Sequence, residues 1–293
     1  MLSQLNVHLY NEFHAGDVFF SRAIIQLVKQ YLTEGQTIKY HHNCSKGILK
    51  DLPYVTELPI DEYCVRENTI YKPATGELYI NTWYGQGNFK FFNPGGGTTL
   101  RTIHSICQNI CNNLFNSCTF IEDENIYPQI NHENIPHCNS VFLGPNILIC
   151  NDLAMSGQSN NMSFDITTHK LSTTFPNCTF FVTNKTFLSK SPNIMYIDDI
   201  FPYRPNLLEI SKFSQKCSLI LGRSSGPYSY CMSKDNITDI RKTFVSVANN
   251  YMPGIWDKRF HKCTYHHFNG SQEDKLTYFL TNELQRIVDG FSK

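Results

Sequence analysis

LLEISKFSQKCSLILGRSSGP, residues 207–227, carries three patterns in one short run. Leu207, Leu208, Ile210, Phe213 and Cys217 recur at helical spacing, which predicts an amphipathic helix. Ser218, Leu219, Ile220 and Leu221 make an apolar run of strand length. Gly222, Arg223, Ser224, Ser225, Gly226 and Pro227 then break that strand with glycines, hydroxyls and one arginine. Helix, buried strand and polar glycine turn form an α/β unit with the turn at the strand's carboxyl end. Open α/β sheets bind ligands at that end, so this turn is the first candidate wall of a site.

The same alternation extends outward. Residues 146–150 (NILIC) read as an apolar strand ending in a polar loop over 151–160. A helix over 166–175, a strand over 179–183 and a strand over 193–197 follow, the last ending in Asp198 and Asp199. Residues 244–248 read as a helix or a strand. Leu276, Leu280, Leu284, Ile287 and Phe291 share one face of a terminal helix. Upstream, residues 5–9 and 37–41 read as strands. Between them Phe20, Ile24, Leu27, Val28 and Tyr31 mark a helix with Asp17 at its expected N-cap. A strand over 77–82 leads into an aromatic, glycine-rich loop at Trp83 and Tyr84. The glycine turn at 94–99 precedes a helix holding Ile103, Ile106, Ile110 and Leu114. Residues 122–140 lack periodicity and serve as the linker. Two α/β domains are therefore expected, 1–139 and 140–293, with the last helix, 273–291, free to pack back on the first.

Bulk properties narrow the function. The chain has 293 residues, 25 Lys+Arg and 25 Asp+Glu, so its formal net charge is zero. That removes the usual electrostatic footprint of a nucleic-acid binder. The 11 cysteines contain no CxxC pair, the start MLSQLNVHLYNEF does not read as a signal peptide, and no apolar run would span a bilayer. A cytoplasmic protein with free thiols and no transmembrane segment is expected. His261, Cys263, His266 and His267 cluster in sequence, as do His41, His42 and Cys44. Neither cluster has the paired spacing of a zinc finger, so no zinc is assigned to them.

Two stretches carry a resemblance. His14-Ala15-Gly16-Asp17 lies between a strand and an apolar helix. Glu209 sits on a helix that leads into an apolar strand and the turn at 222–227. Their order resembles heptosyltransferase-like (ADP-heptose transferase) glycosyltransferases. Where that family has a histidine after its Ser/Thr-Gly pair, Pro227 and Tyr228 stand here. The resemblance implies a GT-B-like α/β fold, two Rossmann-like domains facing each other across a cleft. It also implies an inverting, metal-independent transfer of a sugar from a nucleotide-sugar donor to a hydroxyl of a sugar or glycan acceptor. Two other readings are a non-catalytic nucleotide- or sugar-binding relative and a pyruvyltransferase-like enzyme on the same fold.

Glycosyl transfer needs a base for the acceptor hydroxyl, fixed charge for the leaving diphosphate, and placement. The resemblance implies Asp17 as the base, an aspartate that could equally be an ordinary cap; His14 is the reserve. Arg223, Ser224, Ser225 and Gly226 are the expected diphosphate site, since a guanidinium offers a fork of donors and glycine admits close backbone approach. By resemblance Glu209 binds the ribose; the plain reading is a solvated helix glutamate. Asp198 is placed at a loop edge near the nucleobase, with adjacent Asp199 on the opposite strand face. Gln158, Ser159 and Asn160 form a polar loop facing phosphate or sugar. Trp83 and Tyr84 are candidates to stack on an acceptor sugar, core packing being the plainer use. With Arg223 and helix N-termini supplying positive field, no metal or other cofactor is expected.

Overall fold

The computed structural model describes residues 6–64, 69–72, 74–83, 127–136, 142, 144–154, 159, 162–185, 191–249, 261–270 and 272–291. The expected glycine turn at 94–99 and the helix after it lie outside the described residues, as do Tyr84, Gln158 and Asn160. The chain divides into two compact units, Met1–Glu133 with Met252–His261 and Asn134–Tyr251 with Lys262–Lys293. Among the described residues no helix is long and apolar enough to cross a membrane.

The first unit is built on β1 (Asn6–Asn11), β2 (Ile38–His42), β3 (Val55–Leu58), β4 (Thr69–Lys72) and β5 (Glu77–Asn81). Their spatial order is β3-β2-β1-β5-β4. β1 pairs in parallel with β2 and β5, and β4 closes one edge antiparallel to β5. The helix expected after β1 is two pieces, α1 (Ala15–Phe20) and α2 (Arg22–Lys29). The break falls at buried Ser21, whose hydroxyl bonds back to the Val18 carbonyl at 2.7 Å and across to Tyr40 Oη at 2.6 Å. Such local side-chain bonds compete with the helical ladder. On α2, Ile24, Ile25, Leu27 and Val28 are buried. Arg22 is also fully buried: it pairs with Asp51, and its Nε donates to the Gln129 carbonyl at 2.8 Å.

The second unit is a parallel sheet of β6 (Asn146–Cys150), β7 (Thr179–Val182), β8 (Ile194–Tyr196), β9 (Leu219–Arg223), β10 (Thr243–Val247) and β11 (Thr264–Phe268). The order across the sheet is β8-β7-β6-β9-β10-β11. Numbered from its own first strand, this is the doubly wound Rossmann order, which reverses between β6 and β9. Every residue of β6, β9 and β10 is buried, which explains why these segments read as continuous apolar runs rather than alternating ones. Residues 244–248, left open between helix and strand, fall on β10 and its end.

Helices α3 (Asp165–Thr174), α4 (Ile197–Ile200), α5 (Leu207–Ser214), α6 (Gly226–Cys231), α7 (Lys234–Ile237) and α8 (Glu273–Phe291) complete the second unit. Leu276, Leu280, Leu284 and Ile287 of α8 share a core with Leu171 of α3 and with Ile149, Leu221 and Val245 of the sheet. The α5–β9 unit is closed from below by Lys242. Its buried ammonium donates to the carbonyls of Ser214, Gln215 and Cys217 at 3.0, 2.9 and 2.7 Å. A cation there meets the unsatisfied carbonyls of a helix end.

Candidate functional site

In the second unit, sheet order singles out one place. Where strand order reverses, the loops after two neighbouring strands part, and ligands sit outside the carboxyl ends. Here those strands are β6 and β9, followed by the loop from Asn151 and the turn from Arg223.

Arg223 ends β9 and is buried. Its guanidinium carbon lies 4.9 Å from the centre of the Phe164 ring. Burial pulls its pKa below the ordinary arginine value, opposed by the carboxylates of Asp152 and Asp165. The group is still a cation at neutral pH, held where water screens it poorly. Beyond it Ser224 is half-buried, and Ser225 is the extended N-cap residue of α6. The Ser225 amide donates to the Arg223 carbonyl at 2.7 Å. Ser225 Oγ is buried and has no hydrogen-bond partner among the described residues. Gly226 and Pro227 open α6, where proline's missing N–H costs nothing.

Glycine at 222 has a packing reason. A Cβ there would lie 2.3 Å from Tyr228 Cδ2. The Tyr228 ring therefore sits directly on the strand backbone one residue before Arg223.

Ser159 joins this end of the sheet. It is buried, and its Oγ donates to the Val247 carbonyl at 3.1 Å; Val247 is the register partner of Arg223. Asn151 serves the scaffold instead: its side chain donates to the Asn184 carbonyl and accepts from the Asn184 amide, at 3.0 and 2.8 Å. Thr183 Oγ1 bonds Asp152 in the same network.

Glu209 is not a solvated glutamate. It is buried at the third position of α5 in a capping box with Asn206. Asn206 Oδ1 accepts from the Glu209 amide at 3.1 Å, and Glu209 Oε2 accepts from the Asn206 amide at 2.8 Å. Glu209 Oε1 accepts from Tyr203 Oη at 2.8 Å. Crossover helices run antiparallel to the strands they join, so the start of α5 lies toward the sheet's carboxyl edge. Asp198 and Asp199 occupy the first turn of α4 rather than a strand. Asp198 is half-buried, and Asp199 forms an exposed pair with Lys185 at 2.9 Å.

In the first unit the reversal lies between β1 and β5. Asn11 ends β1 and its Oδ1 accepts from the Phe13 amide at 3.0 Å; Asn81 ends β5 and its Oδ1 accepts from the Trp83 amide at 2.9 Å. These matched turns stack the Phe13 and Trp83 rings 3.9 Å apart. His14 and Asp17 follow. The N-cap is His14, not Asp17, which is the third residue of α1. Asp17 Oδ2 accepts from the His14 amide at 3.1 Å.

The structure thus groups Arg223, Ser224, Ser225, Gly226 and Ser159 at one sheet edge, and His14, Asp17 and Trp83 at the other unit's edge. Phe164, Asp152 and Asp165 around Arg223 were not singled out from the sequence. Only the proximity of residues 152–165 to a strand end hinted at them.

No family model matches the sequence, and no curated protein does. Solved structures do. ADP-heptose LPS heptosyltransferase II of E. coli matches with a TM-score of 0.61 at 10% identity, covering 99% of this chain and 100% of that one. E. coli heptosyltransferase WaaC, solved with ADP-2-deoxy-2-fluoro heptose, matches with a TM-score of 0.57 at 10% identity, covering 97% and 99%. A glycosyl transferase family 9 protein from Veillonella parvula matches with a TM-score of 0.55 at 9% identity, covering 98% and 91%. The chain is a mixed α/β protein with the GT-B fold of these heptosyltransferase-like glycosyltransferases.

Proposed function

We propose that the chain is a glycosyltransferase that takes its sugar from a nucleotide-sugar donor held at the carboxyl edge of the second unit. The observation that carries this reading is the buried Arg223, followed by the buried hydroxyl of Ser225, at the strand-order reversal of a Rossmann sheet. The neighbours named above, one of them solved with an ADP-heptose analogue, support it.

In this reading Arg223 neutralises charge that grows on the departing diphosphate, where low screening makes one cation effective. Ser225 Oγ and the Ser224 amide donate to phosphate oxygens, and Gly226 lets the backbone approach. Ser159, with its neighbours Gln158 and Asn160, lines the phosphate or sugar side. Glu209 and Asp198 border the ribose and base. Asp17 removes the acceptor proton, with His14 as the reserve, and Trp83 and Tyr84 bear on an acceptor sugar. The transfer is inverting and uses no metal in its chemical step.

One observation favours a second reading. The Asp17 carboxylate already accepts the His14 amide, the bond of an ordinary helix start. A nucleotide- or sugar-binding relative without a base would keep it. Asp17→Asn separates the two. A catalytic base predicts turnover lowered by about 10²–10⁴ with donor affinity unchanged. Turnover at the wild-type rate in Asp17→Asn would remove Asp17 from the mechanism.

A further inference from the structure

A second cluster of reactive side chains lies in the first unit and takes no part in the proposed transfer. His41 of β2 and Cys64 are buried, Asp61 is exposed, and one potential ligand atom from each lies within 4.8 Å of the others. His41 Nδ1 is 3.5 Å from Asp61 Oδ2, and Cys64 Sγ is 3.2 Å from Asp61 Oδ1. Bonds of zinc to nitrogen, sulfur and oxygen in a tetrahedron hold ligand atoms roughly 3.3–3.6 Å apart. The His41 gap to Asp61 Oδ2 falls within that spacing, and the Cys64 gap to Oδ1 is a thiol hydrogen bond slightly shorter than it, which the ion would replace. The turn that carries Asp61 and Cys64 is fixed by the Cys64 amide donating to the Asp61 carbonyl at 3.1 Å.

The far side of His41 is equally ordered. His41 Nε2 lies 2.9 Å from His8 Nδ1, and the Tyr79 ring stacks on His8 at 4.2 Å. His8 is buried, and its Nε2 has no hydrogen-bond partner among the described residues. The nearest carboxylate, Glu77 Oε1, is 3.8 Å away. The Pro59 carbonyl, 2.8 Å from His41 Nδ1, can only accept, so that nitrogen carries the proton. His41 Nε2 then accepts from His8 Nδ1, and His8 Nε2 is left bare.

We propose that His41 Nδ1, Asp61 and Cys64 Sγ bind one divalent transition-metal ion of the zinc type, with His8 and Glu77 as positioning residues behind His41. Binding removes the proton from His41 Nδ1, which turns from the Pro59 carbonyl to the ion. The His41 Nδ1 proton leaves to solvent, and the His8 Nδ1 proton passes to His41 Nε2, whose N–H then donates to His8 Nδ1. His8 Nε2 takes up one proton from solvent on the side of Glu77, so the histidine pair keeps two protons. In this chain both His41 ring nitrogens and His8 Nδ1 are engaged, and Glu77, 3.8 Å from His8 Nε2, faces it as a charge; such outer partners are the usual support of a metal-bound imidazole. Cys64 gives up its thiol proton to solvent. Exposed Asp61 opens the fourth position to water. The ion fastens β2 to the 59–64 turn.

Titration of the purified chain with Co²⁺, followed in the near-ultraviolet and visible, tests this. One equivalent is expected to give a thiolate-to-cobalt charge-transfer band, and Zn²⁺ is expected to displace it. Cys64→Ser is expected to lack the band and Cys44→Ser to keep it. Asp61→Asn alters an exposed side chain and keeps the fold by circular dichroism; it is expected to weaken binding by about tenfold or more. No band in the wild-type chain would overturn the proposal. So would a band that survives unchanged in Cys64→Ser or in Asp61→Asn.

Discussion

The guanidinium of Arg223 lies over the ring of Phe164, 4.9 Å from its centre. The ring comes from the residue just before α3 and the arginine from the end of β9, so two elements fix the cation's place. Desolvated cation–π pairs are worth about 1–2 kcal/mol. Phe164→Leu keeps an apolar side chain and removes the ring face. Its diphosphate affinity is expected to fall by about fivefold, the equivalent of about 1 kcal/mol. Calorimetric titration with the best-binding nucleoside diphosphate measures this.

Gly222 and Tyr228 leave no room for a methyl group. A Cβ at 222 would lie 2.3, 2.7 and 2.9 Å from Tyr228 Cδ2, Cγ and Cβ. The ring is buried and cannot swing away. Gly222→Ala is expected to destabilise the chain by about 1–3 kcal/mol in urea unfolding, the usual cost of an overfilled core.

Arg22 and Asp51 form a buried pair that also receives the Asn131 amide on Asp51 Oδ2, at 3.0 Å. Removing one partner strands the other charge. Arg22→Met is expected to cost about 3–5 kcal/mol, far more than a surface pair would. The double change Arg22→Met with Asp51→Leu is expected to recover part of that loss. Chemical denaturation of the three variants checks both statements.

Glu57 gives a pH dependence with a definite sign. Burial alone would raise its pKa, but bonds from His42 and from the Leu49 and Gly47 amides outweigh this and lower it. The amide bonds are 3.0 and 2.9 Å long. A carboxylate depressed in the folded state binds its proton less readily than in the unfolded chain. Its contribution is therefore present above the ordinary carboxylate range and is lost as pH falls through the folded value. Glu57→Gln is expected to flatten the acid side of the stability profile below about pH 5. Thermal unfolding across pH 3–8 reads it.

Legibility in the sequence followed the range of the forces involved. NILIC and SLIL read as strands because both faces of a parallel sheet are buried and the apolar signal is unbroken. The helical spacing of Leu208, Ile210 and Phe213 was equally plain. The turn at Arg223 could be placed because strand and turn are contiguous. What failed depended on contacts distant in sequence. The helix break at Ser21 is set by Tyr40, 19 residues away. Asp17 was placed at the cap, but the helix begins at Ala15 and makes Asp17 its third residue. Asp198 and Asp199 looked like a strand end because the apolar run before them is short, yet the chain turns into α4 there. His41 was grouped with His42 and Cys44, its neighbours in sequence. On β2 successive side chains point to opposite faces, so His42 bonds Glu57 while His41 meets His8 and Asp61.

The central claim is that the second unit binds a nucleoside diphosphate through Arg223. Isothermal titration of a panel of nucleoside diphosphates into the wild-type chain, Arg223→Gln and Asp17→Asn tests it most directly. The expected result is saturable binding of at least one diphosphate to the wild type. Arg223→Gln should weaken it by about tenfold or more, the loss of a charge-assisted bond, while Asp17→Asn leaves it unchanged. No binding of any diphosphate to the wild type, or wild-type affinity in Arg223→Gln, would contradict it.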